Sequence, residues 1–166
     1  MKKILVIAAF MLSLVACKPI SEQININDWS LDNPDNLSVG LTQLGFDTNL
    51  LLEADNNSAM DIRLTKLYAE LYNRSDKLVA TVELAKAKGE TLPVLHKRSS
   101  ETVAVPLKMN FENPLSILTL AAMSIDDYSD KGYSVTYDCT LKAGCFSKRL
   151  QDTKVPIATL KKMFEK

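Results

Sequence analysis

Val103-Ala104-Val105-Pro106-Leu107-Lys108-Met109-Asn110-Phe111 is the most regular alternation of side chains in this chain of 166 residues. A period of two places the apolar side chains at the odd positions on one face of a β-strand. Because proline cannot donate a hydrogen bond to a ladder, Pro106 predicts that this strand lies at a sheet edge or beside a β-bulge.

Upstream of this strand the same period of two recurs. It runs from Phe46 to Glu53 and ends at the polar turn 55–58. It resumes at Ile62 and Leu64, but Leu67, Ala69 and Leu71 follow one residue out of phase. A β-bulge near Thr65-Lys66 would restore the common face.

The remaining strands are predicted from shorter patterns. The turn residues 73–76 connect to a strand over Val79–Leu84, and alternation over Tyr133–Leu141 is followed by a returning strand, Phe146–Val155. Ile24 and Ile26 allow an early strand, and the cluster Asp32–Asn36 is typical of a turn.

One segment breaks the alternation and predicts a helix over about 113–126. Asn113-Pro114 is an N-cap followed by proline at the first helical position. The residues after it are apolar around most of the helical circumference, so this inserted helix should be buried. A short C-terminal helix over Ile157–Phe164 is also allowed. Six or more strands with hairpin-length loops and one main helix predict a mainly β fold, an antiparallel two-sheet β-sandwich.

The N-terminal residues have the layout of a secretory signal peptide. Lys2 and Lys3 precede an apolar run from Ile4 to Ala16, which is too short to span a bilayer. The run ends in Leu14-Val15-Ala16-Cys17, and a small residue directly before a cysteine resembles the lipobox of bacterial lipoproteins. The resemblance implies cleavage after Ala16 and lipidation of Cys17, which then anchors the chain to a membrane. A signal peptide cut at another bond and a permanent anchor are the alternatives.

This leader sets the expected domain organisation. Residues 1–16 are the cleaved signal peptide, residues 17–36 are the lipidated N-terminus, tether and first strand, and residues 37–166 are the sandwich. Lipoproteins of Gram-negative bacteria are retained in the inner membrane by an aspartate after the lipidated cysteine. This chain has Lys18 there. The expected location is therefore the cell envelope, with the outer membrane favoured over the inner membrane.

Composition excludes some partners. The full chain has 20 basic and 20 acidic residues. Without Lys2 and Lys3 the mature chain has 18 basic and 20 acidic residues, and this balance is unlike the clustered positive charge of nucleic-acid binders. A hydrophobic content of 46% is sufficient for a core and excludes global disorder.

No catalytic, metal or cofactor site is predicted. His96, the only histidine, lies beside Lys97 and Arg98 and is expected in a solvated loop. No serine has a Gly-x-Ser-x-Gly context. Asp126, Asp127 and Asp130 faintly suggest a calcium loop, but its sixth and twelfth positions would be Lys131 and Tyr137 instead of glycine and glutamate. These aspartates are expected in a polar turn that ends the helix.

Two cysteines besides Cys17 leave a disulfide open. Cys139 and Cys145 flank an expected hairpin tip at Lys142–Gly144. A two-residue turn would point Cys145 outward while Cys139 faced Phe146 on the core side, with no bridge. A three-residue loop would place the two thiols opposite each other at bonding distance, but it would turn Phe146 and Leu150 away from the core.

The order of elements resembles the late embryogenesis abundant group 2 proteins, also called the water stress and hypersensitive response (WHy) domain. The resemblance covers about Ser38–Leu160 and includes the asparagine-rich turn Asp55-Asn56-Asn57, where the family often has Asn-Pro-Asn. It implies a fibronectin-type or immunoglobulin-like β-sandwich without catalytic residues, and single-domain lipoprotein versions are common in Gram-negative bacteria.

These observations favour a non-enzymatic binding or protective module that contacts an envelope protein or glycan. One alternative is a carrier that holds a small apolar ligand or lipid between the sheets, beside the helix over 113–126. A less favoured alternative is a hydrolase with an unrecognised site.

Overall fold

Antiparallel strands make up most of the computed structural model, which describes residues 23–32, 35–39, 44–85, 92–113, 123 and 125–159. The strands are β1 (Ile24–Leu31), β2 (Asp35–Val39), β3 (Leu44–Asn56), β4 (Ile62–Tyr72), β5 (Leu78–Leu84), β6 (Val94–Leu95), β7 (Ser99–Phe111), β8 (Ser134–Ala143) and β9 (Phe146–Pro156). Helix α1 (Ile125–Asp130) lies between β7 and β8. The prediction of a mainly β fold is confirmed.

The strands form one continuous sheet that folds over itself. Its order is β1-β3-β7-β5-β4-β8-β9, with β2 paired to β3 and β6 paired to β4. The two halves are joined where β5 pairs with β7, and this ladder covers only Ala80–Leu84, whereas β3 pairs with β7 from Leu44 to Asn56. The halves β1-β3-β7 and β5-β4-β8-β9 are therefore the two layers of a sandwich.

The core lies between these layers. Alternate residues of β3 and β7 supply one side, and alternate residues of β4, β5 and β8 supply the other. The most deeply buried large side chains are Tyr128, Phe111, Leu50, Leu71, Leu107, Met109, Ile157, Val105 and Val135. The alternation quoted from residues 103–111 is thus the inner face of β7, where side chains from Val105 onward are buried at every second position.

The β-bulge expected near Thr65-Lys66 is confirmed. The ladder between β4 and β8 shifts register between Leu64 and Lys66. The hydroxyl of Thr65 donates a hydrogen bond to the carbonyl oxygen of Thr140 at 3.1 Å. Through this shift Leu64 and Leu67 both face the core.

Pro106 does not lie in an edge strand, because β7 pairs with β3 on one side and with β5 on the other. The ladder with β5 ends at the pair Leu84–Leu107. One residue further, the N–H of Ala85 donates to the carbonyl oxygen of Pro106 at 2.9 Å. A proline is accommodated in this interior strand because its missing N–H falls where the neighbouring ladder stops.

The helix expected over 113–126 falls mainly on residues 114–122 and 124, which lie outside the described residues. The described helix α1 begins at Ile125 and contains Asp126, Asp127 and Asp130, so the turn expected at these aspartates is wrong. The turn follows at Gly132, whose φ is +73°. The N–H of Tyr133 donates to the carbonyl oxygen of Tyr128 at 3.1 Å, as in a Schellman cap.

Other boundaries also differ from the expected ones. Asp35 and Asn36 begin β2 and do not belong to a turn. The two-residue strand β6 was not expected, and β7 starts four residues before Val103. Residues 157–159 are helical, as allowed from Ile157, and the rest of that helix lies outside the described part of the chain.

Candidate functional site

Four segments of the chain meet at one end of the sandwich, which we call the Asn56 end. They are the start of β1 at Gln23 and the turns 57–61, 96–98 and 144–145. The N–H of Asn57 donates to the carbonyl oxygen of Gln23 at 2.8 Å, and that of Arg98 to the carbonyl oxygen of Ser58 at 3.2 Å. Ile62 pairs with both Leu95 and Ala143, which brings the other turns alongside.

The side chain of Asn56 holds these turns together from inside. It is 1% exposed, and its amide nitrogen lies within hydrogen-bond distance of the carbonyl oxygens of Met60 (2.9 Å), Leu95 (3.2 Å) and His96 (3.0 Å). Its amide oxygen accepts from the N–H of Ser58 at 2.9 Å. Asn56 is buried because it continues the inward alternation of β3 by one position beyond Ala54. That register is the signal in the sequence that could have predicted its burial.

His96 is exposed, as expected, but it has a partner that the sequence did not reveal. Its Nδ1 atom lies 3.0 Å from Oε1 of Glu101. The hydroxyl of Ser99 is directed at the carbonyl oxygen of His96 (2.6 Å) and at Glu101 (2.9 Å). Hydrogen bonds lower the pKa of Glu101, above all the one from the N–H of His96. A nucleophile must contact its base, and here the carboxylate lies between the serine and the histidine, which is not a hydrolase arrangement.

An apolar cleft opens between the two layers at the Asn56 end. Its volume is about 90 Å³. The lining consists of apolar side chains and one proline from six strands or their flanks: Ile24, Ile26, Leu52, Ala54, Ile62, Leu64, Pro93, Leu95, Val103, Val105 and Leu141. Pockets for drug-sized ligands measure about 300–1,000 Å³, so this cleft admits only a small apolar group. The carrier alternative placed its ligand beside the helix over 113–126, at the other end of β7, and most of that segment lies outside the described residues.

A basic depression lies on the outside of the same end. Its volume is about 360 Å³. Arg63, Lys97 and Lys142 line it together with one acidic residue, Asp61, whose carboxylate accepts from the N–H of Lys97 at 2.9 Å. Within the part of the chain that the structure describes, no ion pair engages the side chains of the three cations.

Two large apolar side chains are exposed at the same end of the sandwich. Met60 in the turn 57–61 is 40% exposed, and Phe146 at the start of β9 is 66% exposed. The two turns touch, since a Cβ atom added to Gly144 would lie 3.3 Å from the sulfur of Met60. Phe146 lies opposite the buried Ala143, on the face that was expected, but the burial expected for it is wrong.

The hairpin between β8 and β9 decides the question of the disulfide. Ala143 pairs with Phe146, so the two-residue turn is Gly144-Cys145 and the tip expected at Lys142–Gly144 is shifted. Cys139 is buried opposite Leu150, while Cys145 is exposed in the turn. The two thiols are not bonded to each other, and the register that would have joined them is wrong.

A second polar cluster lies on the outer face of β4, β8 and β9. Arg149 donates to both carboxylate oxygens of Asp138, from Nε at 2.8 Å and from an η nitrogen at 2.6 Å. Lys66 also pairs with Asp138. The hydrogen bonds from Arg149 and then Lys66 hold the pKa of Asp138 well below its usual range. This cluster cross-links three neighbouring strands.

Two tyrosines on the same face share one carboxylate. Glu70 accepts from the hydroxyls of Tyr68 and Tyr72, each at 2.7 Å. The hydrogen bond to Glu70, helped by burial, raises the pKa of Tyr68 to about 12 and also raises the pKa of Tyr72. Both hydroxyls therefore remain protonated donors at neutral pH, and the cluster is a structural one.

The predicted lipobox residues Leu14, Val15, Ala16 and Cys17 lie outside the described residues. In the described ranges no group of three or more His, Cys, Asp or Glu side chains could hold a metal ion. No helix in those ranges is long and apolar enough to cross a membrane.

Comparison with known proteins finds only distant similarity. No family model matches the chain, and no curated protein matches it. A structural-genomics target solved by X-ray crystallography is 8% identical with a TM-score of 0.41, and 80% of this chain covers 83% of that one. A protein from Archaeoglobus fulgidus is 12% identical with a TM-score of 0.36, over 78% of this chain and 97% of that chain. A Bordetella pertussis protein solved under the name ApaA is 8% identical with a TM-score of 0.36, over 76% and 89%. No activity or residue role is transferred from them.

Proposed function

We propose that this chain is a lipid-anchored protein of the cell envelope whose sandwich is a non-enzymatic binding or protective module. In this account residues 1–16 are removed, and the acylated Cys17 holds the domain to a membrane. The outer membrane is favoured over the inner membrane. The domain is proposed to be of the late embryogenesis abundant group 2, or WHy, kind. Its partner is an envelope protein or glycan.

The observation that carries the proposal is the position of Cys17 between the leader and the sandwich. The apolar run from Ile4 to Ala16 ends directly before this cysteine. The described fold begins only six residues later at Gln23, and its core is built from residues of β1 onward. Two or more acyl chains on one residue suffice for stable membrane binding, since each buried methylene contributes about 0.8 kcal/mol.

A binding role is supported by the state of the polar groups. Asn56, Glu70, Glu101 and Asp138 all serve contacts within the fold. Every buried side-chain nitrogen or oxygen in the described residues has a hydrogen-bond partner. The polar clusters thus hold strands and turns, and recognition is left to the surface.

Fatty-acid labelling in the native host tests the anchor. The wild-type protein should incorporate labelled palmitate and enter the detergent phase on phase separation. Cys17→Ser should remove both properties, while the exchange Cys145→Ser should change neither. Equal labelling of wild type and Cys17→Ser would contradict the proposal.

The apolar cleft favours a second candidate function, the carrier. Its volume of about 90 Å³ restricts the cargo in the described region to a group smaller than an acyl chain. Mass spectrometry of organic extracts of the purified protein tests this candidate. A stoichiometric small apolar compound that is lost with Val103→Trp, which fills the cleft, would support it.

A further inference from the structure

The Asn56 end has a surface that is both apolar and basic, and we propose that it docks on a bilayer containing anionic phospholipids. The docking surface consists of Met60, Phe146, Arg63, Lys97 and Lys142. The proposal rests on the lipid anchor at Cys17 and adds to it the orientation in which the sandwich is held.

The first argument is the length of chain between the anchor and the fold. Five residues, 18 to 22, separate Cys17 from Gln23. Even a fully extended chain covers only about 20 Å from Cys17 to Gln23. Gln23 is fixed to the Asn56 end by the hydrogen bond from Asn57. A lipid on Cys17 therefore keeps this end, and not the end with the turn 73–76, close to the membrane.

The second argument is the exposure of two apolar side chains at the edge of the molecule. Met60 lies in the turn 57–61 and is 40% exposed, and Phe146 directly follows the adjoining turn 144–145 and is 66% exposed. Isolated apolar side chains are common on protein surfaces, but these two lie together on the end that the tether holds. At the headgroup level of a bilayer an aromatic ring and a thioether leave water at little cost to the fold.

The third argument is charge. Arg63, Lys97 and Lys142 surround one depression, and Asp61 is the acidic residue among them. Among the described residues, Asp55 and Glu101 are further carboxylates of this end, and they lie on the β3 and β7 side, where they accept hydrogen bonds from neighbouring side chains. Basic residues near an anionic bilayer each contribute about fivefold to the docked population.

Site-specific quenching in proteoliposomes tests the orientation. The full lipoprotein, purified from its envelope, is labelled with a fluorophore at Cys145, which is exposed, whereas Cys139 is only 1% exposed. It is then placed in vesicles that contain phosphatidylglycerol and lipids with a headgroup-level quencher. The matched control carries Cys145→Ser with Ser75→Cys, which moves the label to the opposite turn, about 33 Å away along β4.

The docked orientation predicts strong quenching at position 145 and little at position 75. Arg63→Gln with Lys142→Gln should lower the ratio of docked to undocked molecules roughly thirtyfold, with a loss of quenching at position 145. Vesicles of uncharged phosphatidylcholine should also reduce the quenching at position 145, and so should a high salt concentration. Phe146→Ser should also reduce quenching.

Flotation of the same vesicles separates the two proposals. A protein that floats but shows equal quenching at both positions, or none, overturns the docking surface and leaves the anchor standing. A label at position 145 that is unquenched in the vesicles alone, but is shielded when an envelope protein or glycan is added, means that the surface serves that partner, which also overturns bilayer docking. If the protein has no fatty acid and does not float with the vesicles, both the lipid anchor and the docking surface are overturned.

Discussion

At the scale of single residues, Asn56 shows how one buried polar side chain connects segments distant in sequence. Its amide reaches two turns and the last residue of β6, and it adds a donor to three carbonyl oxygens, of which those of Met60 and His96 also accept from serine hydroxyls. Leaving a buried donor or acceptor unsatisfied costs about 1–3 kcal/mol. The turn chemistry of Asn56 was predictable from its neighbours, but its long-range contacts depend on β6, a strand too short to be recognised in the sequence.

The first prediction concerns this residue. Asn56→Ala should lower the free energy of unfolding by about 3 kcal/mol, because the N–H of Ser58 loses its side-chain acceptor and three carbonyl oxygens each lose one donor. Urea unfolding measures the effect. The neighbouring exchange Asn57→Ala is the control, since this side chain is exposed and the backbone N–H of residue 57 is retained. Similar losses in both variants would contradict the role assigned to Asn56.

The second prediction concerns the pH dependence of Asp138. Its pKa in the folded protein lies below the ordinary value of about 3.9, which applies to the unfolded chain. The stabilisation is therefore fully present above about pH 4.5 and is lost as the pH falls through 3.9 toward the lower folded pKa. It is modest, because Lys66 and Arg149 are half-exposed.

Unfolding of wild type and Asp138→Asn between pH 7 and pH 2.5 tests this sign. The wild type should be the more stable protein at pH 7, and the difference should shrink below pH 4. Glu53→Gln, on an exposed position of β3, is the control and should show a smaller change with pH. A difference that grows toward low pH would be inconsistent with the Asp138 cluster.

At the scale of elements, the alternation of side chains predicted which residues are buried in the core. This prediction failed at β9, a strand that is paired on one side only. The inner faces of β4, β7 and β8 follow the sequence pattern because each of these strands is paired on both sides. β9 is paired only with β8, and Phe146 at its start is exposed in spite of its hydrophobicity.

The third prediction concerns the bulge in β4. Deleting Thr65 would remove the extra residue and turn either the residues before it or those after it away from the core. Either Ile62 and Leu64, or the three residues Leu67, Ala69 and Leu71, would then leave the core, and we expect that the protein does not fold cooperatively. Thr65→Val is the control, because it keeps the bulge and removes only the hydrogen bond to Thr140, with a loss of about 1 kcal/mol.

Circular dichroism and thermal unfolding distinguish the two variants of β4. If the deletion variant unfolds in a cooperative thermal transition close to that of the wild type, the register shift is not required for the fold. The bulge could be predicted because a phase shift in alternation has one simple physical cause. The position of Pro106 within the sheet was harder to predict, because the sequence does not indicate where the neighbouring strand β5 ends.

At the scale of the whole molecule, the sandwich gathers one end of β1, three turns and a basic, partly apolar surface on the side from which a short tether would leave. Composition and motifs predicted the two layers and the leader. They could not predict this grouping, because the turns 57–61, 96–98 and 144–145 are brought together only by the sheet order. The proposed orientation on a membrane rests on that grouping together with the proposed lipidation of Cys17.

Mass spectrometry of the N-terminal peptide, taken from the protein in its native envelope, is the most direct examination of the anchor. Our account predicts that the mature chain starts at Cys17 and that this residue has a mass increased by a diacylglyceryl group, with or without a third acyl chain. A peptide that retains residues 1–16, or a mature chain in which residue 17 is an unmodified cysteine, would contradict it.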